Sequence, residues 1–145
     1  MARPFRLIAP VIPEQELHEA VAYLLWRTVL PPAAWAHYPA GSVPLPAQYA
    51  DKLARMGLQR GWPDFLIVYA KRIHGLELKR DGGRLSRDRL VRNRRGTLML
   101  KEGQATVFPR LEAAGMQLAV CASLDEVLAV LRDWQIPTRH AAHVQ

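Results

Sequence analysis

Three side chains near the middle of the chain are of the right kinds to act on a phosphate ester: Asp64, Glu77 and Lys79. Carboxylate oxygens are what hard divalent cations prefer, and Mg²⁺ is commonly held by one or two of them, with water and substrate phosphate completing its shell. An ammonium beside such an ion can orient or deprotonate a water and offset charge developing on the phosphate. The residue types therefore point to metal-assisted hydrolysis of a phosphodiester, with Asp64 and Glu77 as ligands and Lys79 assisting. Strand alternation produces a Glu-x-Lys pair freely on any solvated face, so the surrounding elements must be shown to bring the three together.

Asp64 follows Gly61-Trp62-Pro63 and precedes Phe65-Leu66-Ile67-Val68-Tyr69, a short aromatic and aliphatic run bounded by a turn and by basic residues, which predicts a buried strand with Asp64 at its mouth. In the following strand Glu77 and Lys79 face one way and Leu76 and Leu78 the other. The three functional groups then converge at one end of a hairpin. Upstream, Glu14 to Thr28 reads as a helix whose stripe is Leu17, Val21, Leu24, Leu25 and Thr28. Of its glutamates, Glu14 falls on the core-facing side, either as part of a site or because a carboxylate suits a helix N-terminus. His18 falls beside the same stripe, and no second histidine stands at zinc-ligand spacing.

The ordered set Gly57-x-x-x-Gly61-x-Pro63-Asp64, Leu76-Glu77-Leu78-Lys79 and Gly82-Gly83-Arg84-Leu85-Ser86 resembles the PD-(D/E)xK nuclease superfamily, and within it the virus-type replication-repair nuclease (VRR-Nuc) domain family of small stand-alone phage and bacterial proteins. The likeness runs from about Glu14 to Trp134. It implies a metal-dependent deoxyribonuclease using Mg²⁺, with Mn²⁺ able to substitute. Metal would be bound by Asp64, Glu77, the Leu78 carbonyl and Glu14, with Lys79 catalytic and Gln104 matching a glutamine near the site. The restriction-endonuclease-like fold so implied is an α/β sandwich, a mixed central β-sheet flanked by helices. Branched DNA as substrate and a two-fold homodimer are further implications of this likeness to junction-cutting relatives. Cleavage of RNA or plain duplex DNA, or a basic module that binds DNA without cutting, are the competing readings.

The composition is compatible. One domain of 145 residues with 50% hydrophobic residues is expected, intracellular and cytoplasmic, with no apolar stretch of membrane-spanning length and no secretory signal. The lone Cys121 excludes an internal disulfide. A net charge of +7 favours a polyanionic partner, and the excess is concentrated in Arg80, Arg84, Arg87, Arg89, Arg92, Arg94 and Arg95. These arginines, and His37, are the candidate DNA contacts, although a loop histidine without a role is an equal reading of His37.

The family layout is interrupted by Arg87 to Leu100, a basic insertion expected as a loop or hairpin that touches DNA, serves as a dimer arm or is simply solvated. Where relatives carry His-x-Pro-Asn-Gly, this chain has His37-Tyr38-Pro39-Ala40-Gly41. Pro46 opens a helix to Met56 with Tyr49, Leu53 and Met56 inward and Gly57 as C-cap. Pro109 either begins the core of the helix after Gln104 or kinks it. Gln117 to Cys121 reads as a strand, Ser123-x-x-Glu126 as the capping box of a last helix, and His140 and His143 as part of a tail.

Overall fold

The structure, a computed structural model, describes residues 13–39 and 45–139. The expectations for Ala40-Gly41 and for the tail histidines His140 and His143 lie outside them. The chain runs α1 (Glu14–Thr28), β1 (Ala34–His37), α2 (Ala47–Arg55), β2 (Phe65–Tyr69), β3 (Arg72–Leu78), β4 (Arg89–Arg92), β5 (Leu98–Lys101), α3 (Gln104–Ala113), β6 (Gln117–Cys121) and α4 (Leu124–Asp133).

The main sheet has the order β1-β2-β3-β6, antiparallel through the first three strands, with β6 parallel to β3. This is an α/β protein with a mixed sheet flanked by helices. Alternation along the strands divides the core in two. Phe65, Ile67, Leu76 and Leu78 pack with Leu17, Val21 and Leu25 of α1 and Val127 and Leu131 of α4. On the opposite face Leu66 and Leu118 pack with Val107, Phe108 and Leu111 of α3. Burying such side chains stabilises by about 1.5–3 kcal/mol each, so both faces of the sheet are fixed and the strand register with them.

The helix boundaries have local causes. Pro13 and Pro46 precede the first turns of α1 and α2, Gly57 takes φ +103° just past α2, and Ser123 Oγ accepts the Glu126 N–H while the Glu126 carboxylate accepts from Ala122. Pro109 lies inside α3, which already begins at Gln104, so it neither opens the helix nor ends it. Two expectations are corrected. Glu14 does not face the core: it is exposed one turn before Leu17, where the buried stripe begins. Helix α2 buries none of its residues, and Tyr49 and Met56 are exposed, because the helix stands away from both core clusters.

The insertion is a hairpin, with Arg89 opposite Lys101 and Arg92 opposite Leu98. Its turn is closed by Asn93, whose side chain accepts the N–H groups of Arg95 and Thr97, and by Gly96 at φ +78°. Among the described residues no helix is long and apolar enough to cross a membrane.

Candidate active site

Asp64 is delivered by a loop that needs its glycine: a Cβ on Gly61, which adopts φ +80°, would lie 2.9 Å from Val107 Cγ2 of α3. The backbone carbonyl of Asp64 accepts the Tyr38 N–H at 2.7 Å, and Oδ2 of its carboxylate accepts the Leu78 N–H at 2.8 Å. That bond ties the mouth of β2 to the end of β3. One residue back on β3, Glu77 points to the α3 face. Its Oε1 accepts from Lys79 Nζ at 2.8 Å and from Gln104 Nε2 at 2.6 Å. Its Oε2 is buried and has no hydrogen-bond partner among the described residues, in a side chain only 2% exposed.

Gln104 is held from three directions. Its N–H donates to Ser86 Oγ at 3.0 Å, its Oε1 accepts the Ser86 N–H at 3.3 Å, and its Nε2 reaches Glu77. Around it, the N-terminus of α3 is satisfied by a segment remote in sequence. The Ser86 carbonyl accepts the Ala105 N–H, and Asp88 Oδ1 accepts the Gly103 N–H at 2.7 Å and the Thr106 hydroxyl at 2.8 Å. These two donors hold the Asp88 carboxyl below its ordinary range. A Cβ on Gly103 would meet the Ser86 oxygen and the Arg87 carbonyl carbon at 2.4 Å, so only glycine allows the clamp to close.

Asp64, Glu77, Lys79 and Gln104 open onto a cleft of about 880 Å³. Glu14, His18 and His37 line it, as do Arg87 and Arg89. Arg80, Arg84, Arg92, Arg94 and Arg95 do not. Arg92 donates to the Gly96 carbonyl within its own hairpin, and Arg94 reaches Asp51 of α2 at 3.7 Å. Two cleft cations lie outside the arginine run and were missed: Arg60, in the loop before Asp64, and Lys101, at the end of β5. Drawing the hairpin register outward from Asn93 and Gly96 would have placed Lys101 opposite Arg89. His37 Nδ1 lies 2.9 Å from the Asp64 carbonyl oxygen and 3.1 Å from His18 Nε2, and both rings rest near Phe65. Burial, then His37, holds His18 below its ordinary pKa.

Burial pushes the Asp64 carboxyl up, against the pull of the Leu78 N–H and Lys79. Burial and then the neighbouring Asp64 push Glu77 up, against Lys79 and Gln104. Two carboxylates that resist ionisation beside one another, one with an unsatisfied buried oxygen, suit a small hard cation, which would restore the charged form of both. Among the described residues no three of His, Cys, Asp and Glu gather into a metal-binding group. The pair Asp64 and Glu77 therefore carries the candidate site, with the Leu78 carbonyl adjacent in sequence and Glu14 exposed on the wall of the same cleft.

Comparison of the chain with models of known families, with curated proteins and with solved structures finds no match.

Proposed function

We propose that this chain is a metal-dependent endodeoxyribonuclease of the PD-(D/E)xK type, close to the VRR-Nuc domain family, whose mixed sheet and helices form a restriction-endonuclease-like core. The observation that carries the reading is the state of Glu77, a residue of the cleft wall beside Asp64: one oxygen is saturated by Lys79 and Gln104, and the other is buried with no hydrogen-bond partner among the described residues. A structural ion pair would leave no such oxygen, since an unsatisfied buried acceptor costs about 1–3 kcal/mol. The cost is explained if a cation is the missing partner.

Mg²⁺, or Mn²⁺ in its place, would be held by Asp64 and Glu77 with help from the Leu78 carbonyl and Glu14, and would supply an acidified water and a counter-charge for the leaving oxygen. The chain's own residues do the rest. Gln104 fixes the Glu77 carboxylate by holding Oε1, which leaves Oε2 uncommitted. Lys79, 2.8 Å from Oε1, offers its remaining N–H donors to the attacking water or to a non-bridging phosphate oxygen, and its charge offsets the negative charge that builds on the phosphate. Arg87 and Arg89 hold the strand from the hairpin side of the cleft.

The substrate is DNA, branched or otherwise structured, and the chain acts as a homodimer whose two sites address two strands, the commonest closed symmetry. The test is a panel of labelled flap, junction, duplex and single-stranded DNA, with RNA counterparts, incubated with Mg²⁺, Mn²⁺ or EDTA. Cation-dependent cutting of branched DNA is the expected result. Cutting of RNA or plain duplex only would move the substrate, and binding without cutting under every cation would overturn the enzymatic reading. Light scattering showing a monomer at working concentration would remove the paired-site model.

A further inference from the structure

The cleft holds a second concentration of charge besides the carboxylate pair. Arg60, Arg89 and Lys101 come from three different segments, the loop before β2, β4 and β5, and all line it. Arg89 and Lys101 are Cα partners across the hairpin, a position where side chains stand about 5 Å apart at Cβ and like charges destabilise the sheet. Burial, then Arg60 and Arg89, hold the Lys101 ammonium below its ordinary pKa, so the crowding is felt electrostatically as well as geometrically.

Three acids around the hairpin have other partners. Asp88 accepts from Gly103 and Thr106. Glu102, next to Lys101, is bound by both terminal nitrogens of Arg110 at 2.9 Å. Asp51, the one acid that acts on Lys101, reaches Arg94. Among the described residues none of the three cations has an ion pair. Like charges gathered in one cleft, with Lys101 half-buried, Arg60 and Arg89 exposed and none of the three in an ion pair among the described residues, are what an anion-binding site looks like before its ligand arrives.

We infer that Arg60, Arg89 and Lys101 form a phosphate-binding subsite, distinct from the carboxylate pair, that takes a phosphate of the DNA strand lying in the cleft away from the bond that is cut. The inference rests on the nuclease reading for the identity of the strand, and on the cation cluster alone for the subsite. The ligand chemistry is a phosphate group, supplied either by an internal diester or by a terminal monoester. A strand anchored there and at Asp64 and Glu77 together is fixed in direction as well as position, so the subsite would set which bond is presented to the carboxylates.

The experiment measures binding of a fluorescent DNA oligonucleotide in EDTA, where no cutting occurs. The paired variant Arg60→Gln with Lys101→Gln is set against Arg84→Gln with Arg95→Gln, which removes the same formal charge from outside the cleft. The cleft pair is expected to lose about tenfold more affinity than the control pair at low salt and to flatten the log-log salt dependence by roughly 0.7–0.9 per contact removed. Its melting temperature should equal or exceed that of wild type, because a like-charge contact has been relieved. Equal losses in the two pairs would overturn the subsite, as would a drop in melting temperature that accounts for the loss. A DNA-binding module that never cuts would still show the difference, and a nuclease lacking the subsite would cut yet show none, so the two readings fail separately. Terminally phosphorylated and unphosphorylated oligonucleotides assign the source: preference for the former means a monoester end, equal binding an internal diester.

Discussion

At Glu77 two donors share one oxygen while the other oxygen has none among the described residues, and this asymmetry separates the roles of its neighbours. On the proposed reading, Lys79→Ala and Asp64→Asn should abolish cleavage while leaving DNA affinity within about twofold, because the basic surface would supply most of that affinity. Gln104→Ala frees the Glu77 carboxylate to turn, and should weaken Mn²⁺ binding, read by calorimetry, by about 10–100-fold. The raised pKa values of Asp64 and Glu77 have a signed consequence. Without a cation the folded chain binds more protons than the unfolded one between the ordinary carboxylate range and the raised values, so these groups favour folding at low pH and lose that contribution as pH rises through their folded pKa values. In EDTA at neutral pH, Asp64→Asn should therefore melt above wild type, by roughly 2–4 °C if about 1 kcal/mol is relieved. The gap should narrow as pH falls into the acid range. Adding Mg²⁺ should raise wild type alone, by about 1.4 kcal/mol at ten times its dissociation constant. Thermal melts across pH check both. Asp64, Glu77 and Lys79 were legible because motif spacing and strand alternation suffice to bring them together. Arg60 and Lys101 were not, since a single loop or hairpin cation carries no pattern until the register pairs it with others.

The elements were readable wherever a residue punctuates the chain. Pro46, Gly57 and the Ser123 cap set helix limits within a residue or two, and the Phe65–Tyr69 run contrasts sharply with its flanks. Helix α2 misled because an amphipathic pattern shows that a face is apolar, not that anything covers it. What no local pattern announces is the clamp of Ser86 and Asp88 on α3, which joins residues about fifteen apart through main-chain donors. Asp88→Ala leaves the Gly103 N–H and the Thr106 hydroxyl without their acceptor and should lower the midpoint of denaturant unfolding. Gly103→Ala should cost more and also weaken Mn²⁺ binding, because backbone stands where its Cβ must go. Among the described residues the hairpin β4-β5 has no third strand, and Leu90, Leu98, Met99 and Leu100 are exposed along it. Its amides should exchange with deuterium well before those of β2 and β3, since a two-stranded ribbon is only marginally stable by itself.

For the molecule as a whole, the +7 charge is distributed between two tasks. Arg87 and Arg89 face the cleft, and Arg94 and Arg92 brace the hairpin against α2 and its own turn. Replacing Arg89, Arg92, Arg94 and Arg95 together should therefore flatten the salt dependence of DNA binding by about one contact, roughly 0.9 in slope, where four phosphate contacts would give nearly four times that. A mixed sheet between helices could be anticipated from the order of strands and helices; the way the basic segment meets the sheet could not, because it depends on a two-residue clamp. That clamp lies wholly outside the stem of the hairpin. The chain leaves the body at Asp88 and returns at Glu102, beside the paired Arg89 and Lys101, whose Cα atoms stand about 5 Å apart. The arm is thus a cassette with a ready-made splice point: a lineage could lengthen it, shorten it or exchange it for another in one event, changing what the cleft grips while Asp64, Glu77 and Gln104 keep their places.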